Sequence, residues 1–212
     1  NPSGLQITVD GTTYTAPQTF QWTPGSTHTI ATTSPQGSGT TRYVYASWSD
    51  GGAQSHTVTA PSSAATYTAS FTTQYQLTTS ASPSTGGTVS PASGSFYNAG
   101  TSVQITATPN SGQQFTGWSG DASGTANPTT VTMSAPRNVV ASFTAASQNI
   151  TVTTNPSGLQ ITVDGTTYTA PQTFQWTPGS THTIATTSPQ GSGSTRYVYA
   201  SWSDGGAQSH TV

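Results

Sequence analysis

Cysteine is absent from the 212 residues, and so are lysine and glutamate. Without cysteine there is no disulfide, no thiolate metal site and no cysteine nucleophile. Without lysine, lysine–asparagine isopeptide cross-links cannot form. Charged residues make up 4% of the chain, against about 25% in an average domain. The three cations, Arg42, Arg137 and Arg196, are too few and too scattered to displace counterions from nucleic acid. They form no basic amphipathic face for a membrane surface. No apolar run approaches the roughly 20 residues that span a bilayer, which excludes helical membrane insertion. A chain this poor in Lys and Glu lacks the residues that usually keep cytosolic proteins soluble, so composition points to an extracellular or cell-surface location. No signal peptide is visible and the first residue is not Met, which predicts a mature fragment or an excerpt.

Ser and Thr fill roughly a third of the chain, with 22 Gly and 14 Pro. Such a composition also suits a disordered or mucin-like stalk. The pattern argues for folded β-structure instead. Leu5, Ile7 and Val9 alternate with polar residues and run into Asp10-Gly11, a hairpin signal because both turn positions need positive φ. Phe20 and Trp22 share a face before Pro24-Gly25, and a strand then rises to Ile30. Alternation returns at Tyr43/Tyr45, Tyr67/Ala69/Phe71, Val103/Ile105/Ala107 and Val131/Met133. No useful length has a 3.6-residue period, and the expected class is all-β: small tandem Ig-like or β-grasp-like sandwich modules.

The chain repeats itself. Residues 155–212 match 1–58 at every position but one, where Ser194 stands for Thr40. The segment between is a divergent relative. Residues 45–72 and 115–144 both read aromatic, two residues, Trp-Ser, a Gly/Asp turn, a polar loop, Thr-Val-Thr, Ala-Pro and Ala-Ser-Phe-Thr. Three modules follow in the order A, B, A: 1–73, lacking a first strand; 74–146; and 147–212, lacking a last strand. The frame predicts a window on a longer (A–B)n array. Cores this small are marginal alone, so neighbours should stack. The short lead-in from A to B predicts a stiff rod. A divergent B between near-identical A copies also keeps identical partners apart, which limits strand swapping.

Candidate sites are few. Trp48, Trp118 and Trp202 occupy one Trp-Ser slot in all three modules and read as core. Trp22 and Trp176 precede the Pro-Gly turn and are candidates for stacking on a sugar ring. His28, His56, His182 and His210 are two positions seen twice, with no carboxylate or second His at metal-ligand spacing. Ser is plentiful enough to compose a Ser-His-Asp triad, but no G-x-S-x-G elbow accompanies it. Asp10, Asp50, Asp121, Asp164 and Asp204 read as turn formers, with a loop Ca²⁺ site as the alternative. The Thr-rich strands also raise ice binding, though Thr is simply favoured on exposed β-faces. Asn149-Ile150-Thr151 is a glycosylation sequon. No catalytic residue, cofactor or metal is expected.

Within 86–145, the run Gly86-Gly87, Ala99-Gly100-Thr101, the strand ending at Pro109, "FTGWSGD" (115–121) and Met133 to Phe143 resembles the divergent InlB B-repeat family. The A modules also resemble PEGA-type surface modules, through Pro2-Ser3-Gly4, Val9-Asp10-Gly11 and Pro24-Gly25. These resemblances imply bacterial extracellular β-modules that serve as spacers, stalks and adhesion scaffolds, with no catalytic residues. The expectation is therefore a non-enzymatic stalk or fibre that associates with itself, end-to-end or laterally, with modules completed between neighbours by strand addition. The alternative is a carbohydrate-binding or adhesion accessory region of a secreted enzyme or adhesin, contacting surface glycans.

Overall fold

Asp10 and Gly11 both take positive φ, 49° and 81°, and close a two-residue hairpin as their sequence requires. Asp164 and Gly165 repeat it at 49° and 79°. Around such turns the structure, a computed structural model, describes residues 2–212. Among them there are 18 strands and no helix. The strands run β1 Gln6–Val9, β2 Thr12–Thr15, β3 Thr27–Ala31, β4 Thr41–Trp48, β5 Ser55–Thr59, β6 Ala69–Ser82, β7 Gly87–Ser90, β8 Ser95–Asn98 and β9 Ser102–Pro109. They continue as β10 Gln113–Gly120, β11 Thr129–Thr132, β12 Arg137–Ala145, β13 Gln148–Val152, β14 Gln160–Val163, β15 Thr166–Thr169, β16 Gln172–Trp176, β17 Thr183–Thr186 and β18 Ser209–Thr211. The chain divides into two units, one holding residues up to 110 with 115–143, the other 111–114 with 144–212. The first A module and most of B thus fall in one unit, while residues 111–114 and 144–146 of B go with the second A module.

In the first unit, sheet β2-β1-β3-β5 belongs to module A and sheet β11-β9-β7 to module B. A third sheet, β10-β12-β6-β4 with β8 also on β6, serves both modules. Its spine is β6, 14 residues without a break. The first half of β6 pairs antiparallel with β4, from Trp48↔Ala69 to Thr41↔Tyr75. From Leu77 onward it pairs parallel with β12, while β8 takes residues 74–77. The last strand of A and the first strand of B are one strand.

Period-2 patterning sets the cores. In B, Val103, Ile105 and Ala107 of β9 face Leu77 of β6 and Val139, Ala141 and Phe143 of β12, with Trp118 and Met133 closing the cluster. In A, the buried set is Val9, Ile30, Trp48, Val58 and Ala69. Side-chain amides extend the ladders: Gln36 accepts from the Gln6 amide at 2.6 Å and donates to its carbonyl at 2.8 Å, as a neighbouring strand would. Gln190 does the same to Gln160 at the same distances.

The two A copies nonetheless differ in secondary structure. Gln172–Trp176 is a strand because β13 pairs along its whole length, from Gln148↔Trp176 to Val152↔Gln172. The same letters at 18–22 are not a strand. Conversely, Thr41–Trp48 is a strand on β6, whereas the identical 195–202 makes only an isolated bridge between Gln190 and Tyr197. The alternating pattern at both places predicts strands. Each forms only where the described chain supplies a partner, because a strand without a hydrogen-bonded neighbour leaves its ladder groups unmatched.

Leu77 is fully buried and touches both faces of the B sandwich through the cluster around it. Leu77→Ala should cost about 2–5 kcal/mol, read as a shift in urea of the transition that the first A module and B share through β6, while the β14–β18 region keeps its midpoint.

Candidate functional site

Side chains of the A modules form a row that no local pattern announces. Tyr14, Phe20, Trp22 and His28 lie ring by ring. Tyr14 meets Phe20 edge-on at 5.1 Å, Phe20 lies beside Trp22 at 5.8 Å, and His28 lies flat on Trp22 at 4.1 Å and 8°. The row ends in polar groups. His28 Nδ1 is 2.6 Å from Asp10 Oδ2, and its Nε2 is 2.8 Å from Ser26 Oγ. Asp10 also accepts from the Thr29 amide at 2.8 Å. The His28 hydrogen bond first, and that amide second, hold its carboxyl below the usual range. The second copy repeats the row, with Trp176 and His182 at 4.1 Å and 9°, His182 to Asp164 at 2.7 Å and Ser180 to His182 at 2.8 Å.

Strand pairing makes this juxtaposition. β3 lies antiparallel beside β1, with Val9 opposite Ile30. The hairpin residue Asp10 therefore comes level with His28 and Thr29, 18 and 19 residues later. Linear spacing shows neither neighbour.

Ser26, His28 and Asp10 are the residue types of a nucleophilic relay, but Ser26 Oγ and the amides of Gly25 and Ser26 already have other partners. Ser26 Oγ is 2.7 Å from the Thr23 carbonyl, which can only accept. Its single hydrogen cannot serve both that oxygen and His28. The amides that flank it are engaged as well: Gly25 donates to Ala60 O at 2.8 Å and Ser26 to Thr23 O at 3.0 Å. These two amides are therefore not free to hold an oxyanion. With His28 on its face, Trp22 does not offer that face to a sugar, and His182 covers Trp176 in the same way. Asn149 lies exposed on β13, and its Oδ1 accepts from Gln175 Nε2 across the strand pair.

A second motif follows the Trp-Ser slot. The indole N–H of Trp48 donates to Gln54 O, that of Trp118 to Ala126 O and that of Trp202 to Gln208 O. Beyond Trp48, the Asp50 carboxylate takes the Gly52 amide at 3.1 Å and His56 Nε2 at 2.8 Å. His56 Nδ1 lies 2.7 Å from Ala53 O. Both partners of the ring only accept, so both nitrogens are satisfied only when both carry hydrogen. The Asp50 hydrogen bond is the main cause that raises the His56 pKa, and the same bond lowers that of Asp50. His210, Asp204 and Ala207 O repeat the arrangement at 2.8 Å on each side, with the same directions. Gly52 and Gly206 lie under the imidazoles, where a Cβ would overlap the ring atoms.

Module B uses another pair. Asp121 takes Arg137 Nη1 at 2.9 Å and the Asn138 amide at 2.7 Å, and its carboxyl is lowered by that amide and then by Arg137. Each of the five aspartates thus has its own cationic or imidazole partner. Among the described residues, no three His, Asp, Glu or Cys gather as a metal-holding group.

Residues 77–147 match the family model of the divergent InlB B-repeat domain. No curated protein and no solved structure matches the chain.

The histidine pairs give stability a pH dependence. A raised histidine pKa contributes stability that is fully present below the ordinary value of 6.5 and is lost as pH rises through the raised one. A lowered aspartate pKa contributes stability that is present above 3.8 and is lost as pH falls through the lowered one. The melting temperature should therefore be highest between about pH 4 and 6.5. The fall from pH 6 to pH 9 should flatten in a His56→Gln, His210→Gln double variant. Gly52→Ala with Gly206→Ala should flatten it equally, by expelling the rings from their carboxylates.

Proposed function

We propose that this chain is a structural, non-enzymatic segment of a bacterial extracellular stalk or fibre. Its first A module and B are joined by a shared strand, and it associates with copies of itself by strand addition. One observation carries the reading: β6 is the last strand of A and the first of B at once. A linker would let the modules move independently, but a common strand makes their folding and load-bearing one event. Side chains reinforce the seam. The Gln76 amide donates to Thr40 O at 2.9 Å. Arg42 sits 4.1 Å over the Phe96 ring, and its Nε donates to Gln74, which passes a hydrogen bond to Asn98.

The pairing of every aspartate and the near-absence of charge leave little repulsion between copies, which favours association. The repeat of the same aromatic row in both A modules fits a packing element used wherever the module occurs. The engaged amides around Ser26 support the non-enzymatic reading. The stacked imidazoles on Trp22 and Trp176 weigh against a glycan platform.

Electron microscopy of the native material without ligand should show filaments whose axial repeat corresponds to one A–B pair; discrete short particles would overturn the assembly part of this reading. The shared strand has its own test. Wild-type residues 1–143 should unfold in one transition. Gln76→Pro removes the Thr40 hydrogen bond and breaks the strand, and should split that transition into two. Arg42→Gln should lower the cooperativity without splitting it, by about 0.5–1 kcal/mol.

A further inference from the structure

Four of the five aspartates stand before glycine: Asp10-Gly11, Asp50-Gly51, Asp164-Gly165 and Asp204-Gly205. Such a pair is chemically reactive. The amide nitrogen of the following residue can attack the side-chain carboxyl carbon, and glycine, with no Cβ, leaves that nitrogen unhindered. The structure treats the four pairs in two ways. At Asp50 and Asp204 the nucleophile is occupied: the Gly51 amide donates to Trp48 O and the Gly205 amide to Trp202 O, both at 3.1 Å. At Asp10 and Asp164 it is free. Among the described residues, neither the Gly11 amide nor the Gly165 amide donates a hydrogen bond, and a Cβ on either glycine would meet nothing within 4 Å. Here the electrophile is held instead. Asp10 receives His28 Nδ1 on Oδ2 at 2.6 Å and the Thr29 amide on Oδ1 at 2.8 Å, so both oxygens are fastened to β3. His182 and Thr183 fasten Asp164 in the same way, at 2.7 and 2.8 Å. Both carboxylates are half-exposed, within reach of water.

We propose that Asp10-Gly11 and Asp164-Gly165 are sites of spontaneous isomerisation to isoaspartate, and that the two-donor clamp on each carboxylate holds the reaction off while the module is folded. The inference concerns the A module itself and stands apart from the fibre reading. Water is the only co-reactant. The Gly11 nitrogen bonds to Asp10 Cγ and closes a five-membered imide. One carboxyl oxygen leaves as water, taking the amide proton and one proton from solvent. Water then adds to the main-chain carbonyl carbon of Asp10, and the bond from that carbon to the Gly11 nitrogen breaks. A carboxylate forms there and the proton returns to solvent. The chain now runs through Cβ and Cγ, and its mass is unchanged. The clamp opposes the first step. Cγ cannot swing to the Gly11 nitrogen without breaking both hydrogen bonds. The same bonds, that of the histidine first, lower the carboxyl pKa and keep it ionised, which is the less electrophilic form. The product does not fit the fold. Asp10 and Gly11 form a two-residue turn that sets Val9 opposite Thr12, and isoaspartate adds a methylene to its backbone. A hairpin that has opened long enough to react is therefore marked and does not close in the same register.

The test ages the whole 212-residue protein for weeks in warm neutral buffer and locates isoaspartate by electron-transfer fragmentation. Cleavage after the three arginines separates the sites: Asp10 falls in 1–42, Asp50 in 43–137, Asp164 in 138–196 and Asp204 in 197–212. His28→Phe keeps a flat ring for Trp22 and removes the donor to Asp10. With its folded state checked by near-ultraviolet circular dichroism, this variant should form isoaspartate in 1–42 roughly tenfold faster or more, the effect of one lost charge-assisted hydrogen bond. Fragments 43–137 and 138–196 should keep the wild-type rate. His182→Phe should act on 138–196 alone. His28→Gln, whose amide still donates, should fall between His28→Phe and wild type. An unchanged rate in 1–42 overturns the proposal. So does an equal rise in 1–42 and 43–137, since protection would then come from the fold at large. The wild-type chain gives a second check that needs no variant. In concentrated urea, where no clamp exists, Asp10 and Asp164 should convert at least about tenfold faster than in the folded protein. Equal rates in the two conditions, or no isoaspartate at either position in urea, would also overturn it.

Discussion

The backbone hydrogen bond between a strand edge and a partner from elsewhere in the chain is the interaction on which everything else here depends. The sequence QTFQW occurs at 18–22 and at 172–176, yet only the second is a strand, because only there does β13 lie alongside. TRYVYASW reverses the case, being a strand at 41–48 on β6 and none at 195–202. Propensity, pattern and local turns are the same in both copies; the partner differs. Burial follows pairing. Val44 is half-buried on β4, while its twin Val198 is 73% exposed. A short strand fixes backbone torsions at a cost comparable to what its side chains recover, so pairing decides the balance.

Local interactions, by contrast, are duplicated with little change. The His28–Asp10 and His182–Asp164 contacts measure 2.6 and 2.7 Å, and the Gln36 and Gln190 side-chain ladders repeat. With 30% hydrophobic residues and no disulfide, each module holds its turns with these polar contacts and its sheets with a few aromatics. B keeps the Trp-Ser slot and replaces the imidazole pairs by Arg137 and Asp121. One scaffold thus carries two ways to anchor a loop carboxylate.

The all-β class, the hairpin at Asp10-Gly11, the Trp-Ser slot and the B-repeat resemblance were all legible in the chain, since each rests on contiguous residues or on period-2 alternation. The side-chain site was less so. Asp10 read as a turn former and is one, with φ of 49°. Its second role, anchoring His28, needs the β1–β3 register, which no local pattern states. The same holds for Asp50 and His56, six residues apart, where the only hint was a glycine at 52 small enough to lie beneath an imidazole. The unbroken β6 was hidden for a different reason. A strand that changes partners midway has no turn residue at the change, and "FTTQYQLTT" offered none.

Amide hydrogen exchange on the intact chain tests the central claim most directly, because the two A copies are internal controls for each other. If pairing decides strand formation, residues 172–176 will exchange far more slowly than 18–22, and 41–48 more slowly than 195–202. Equal protection of the identical segments in both comparisons would contradict the account, and would mean that local sequence alone holds these strands.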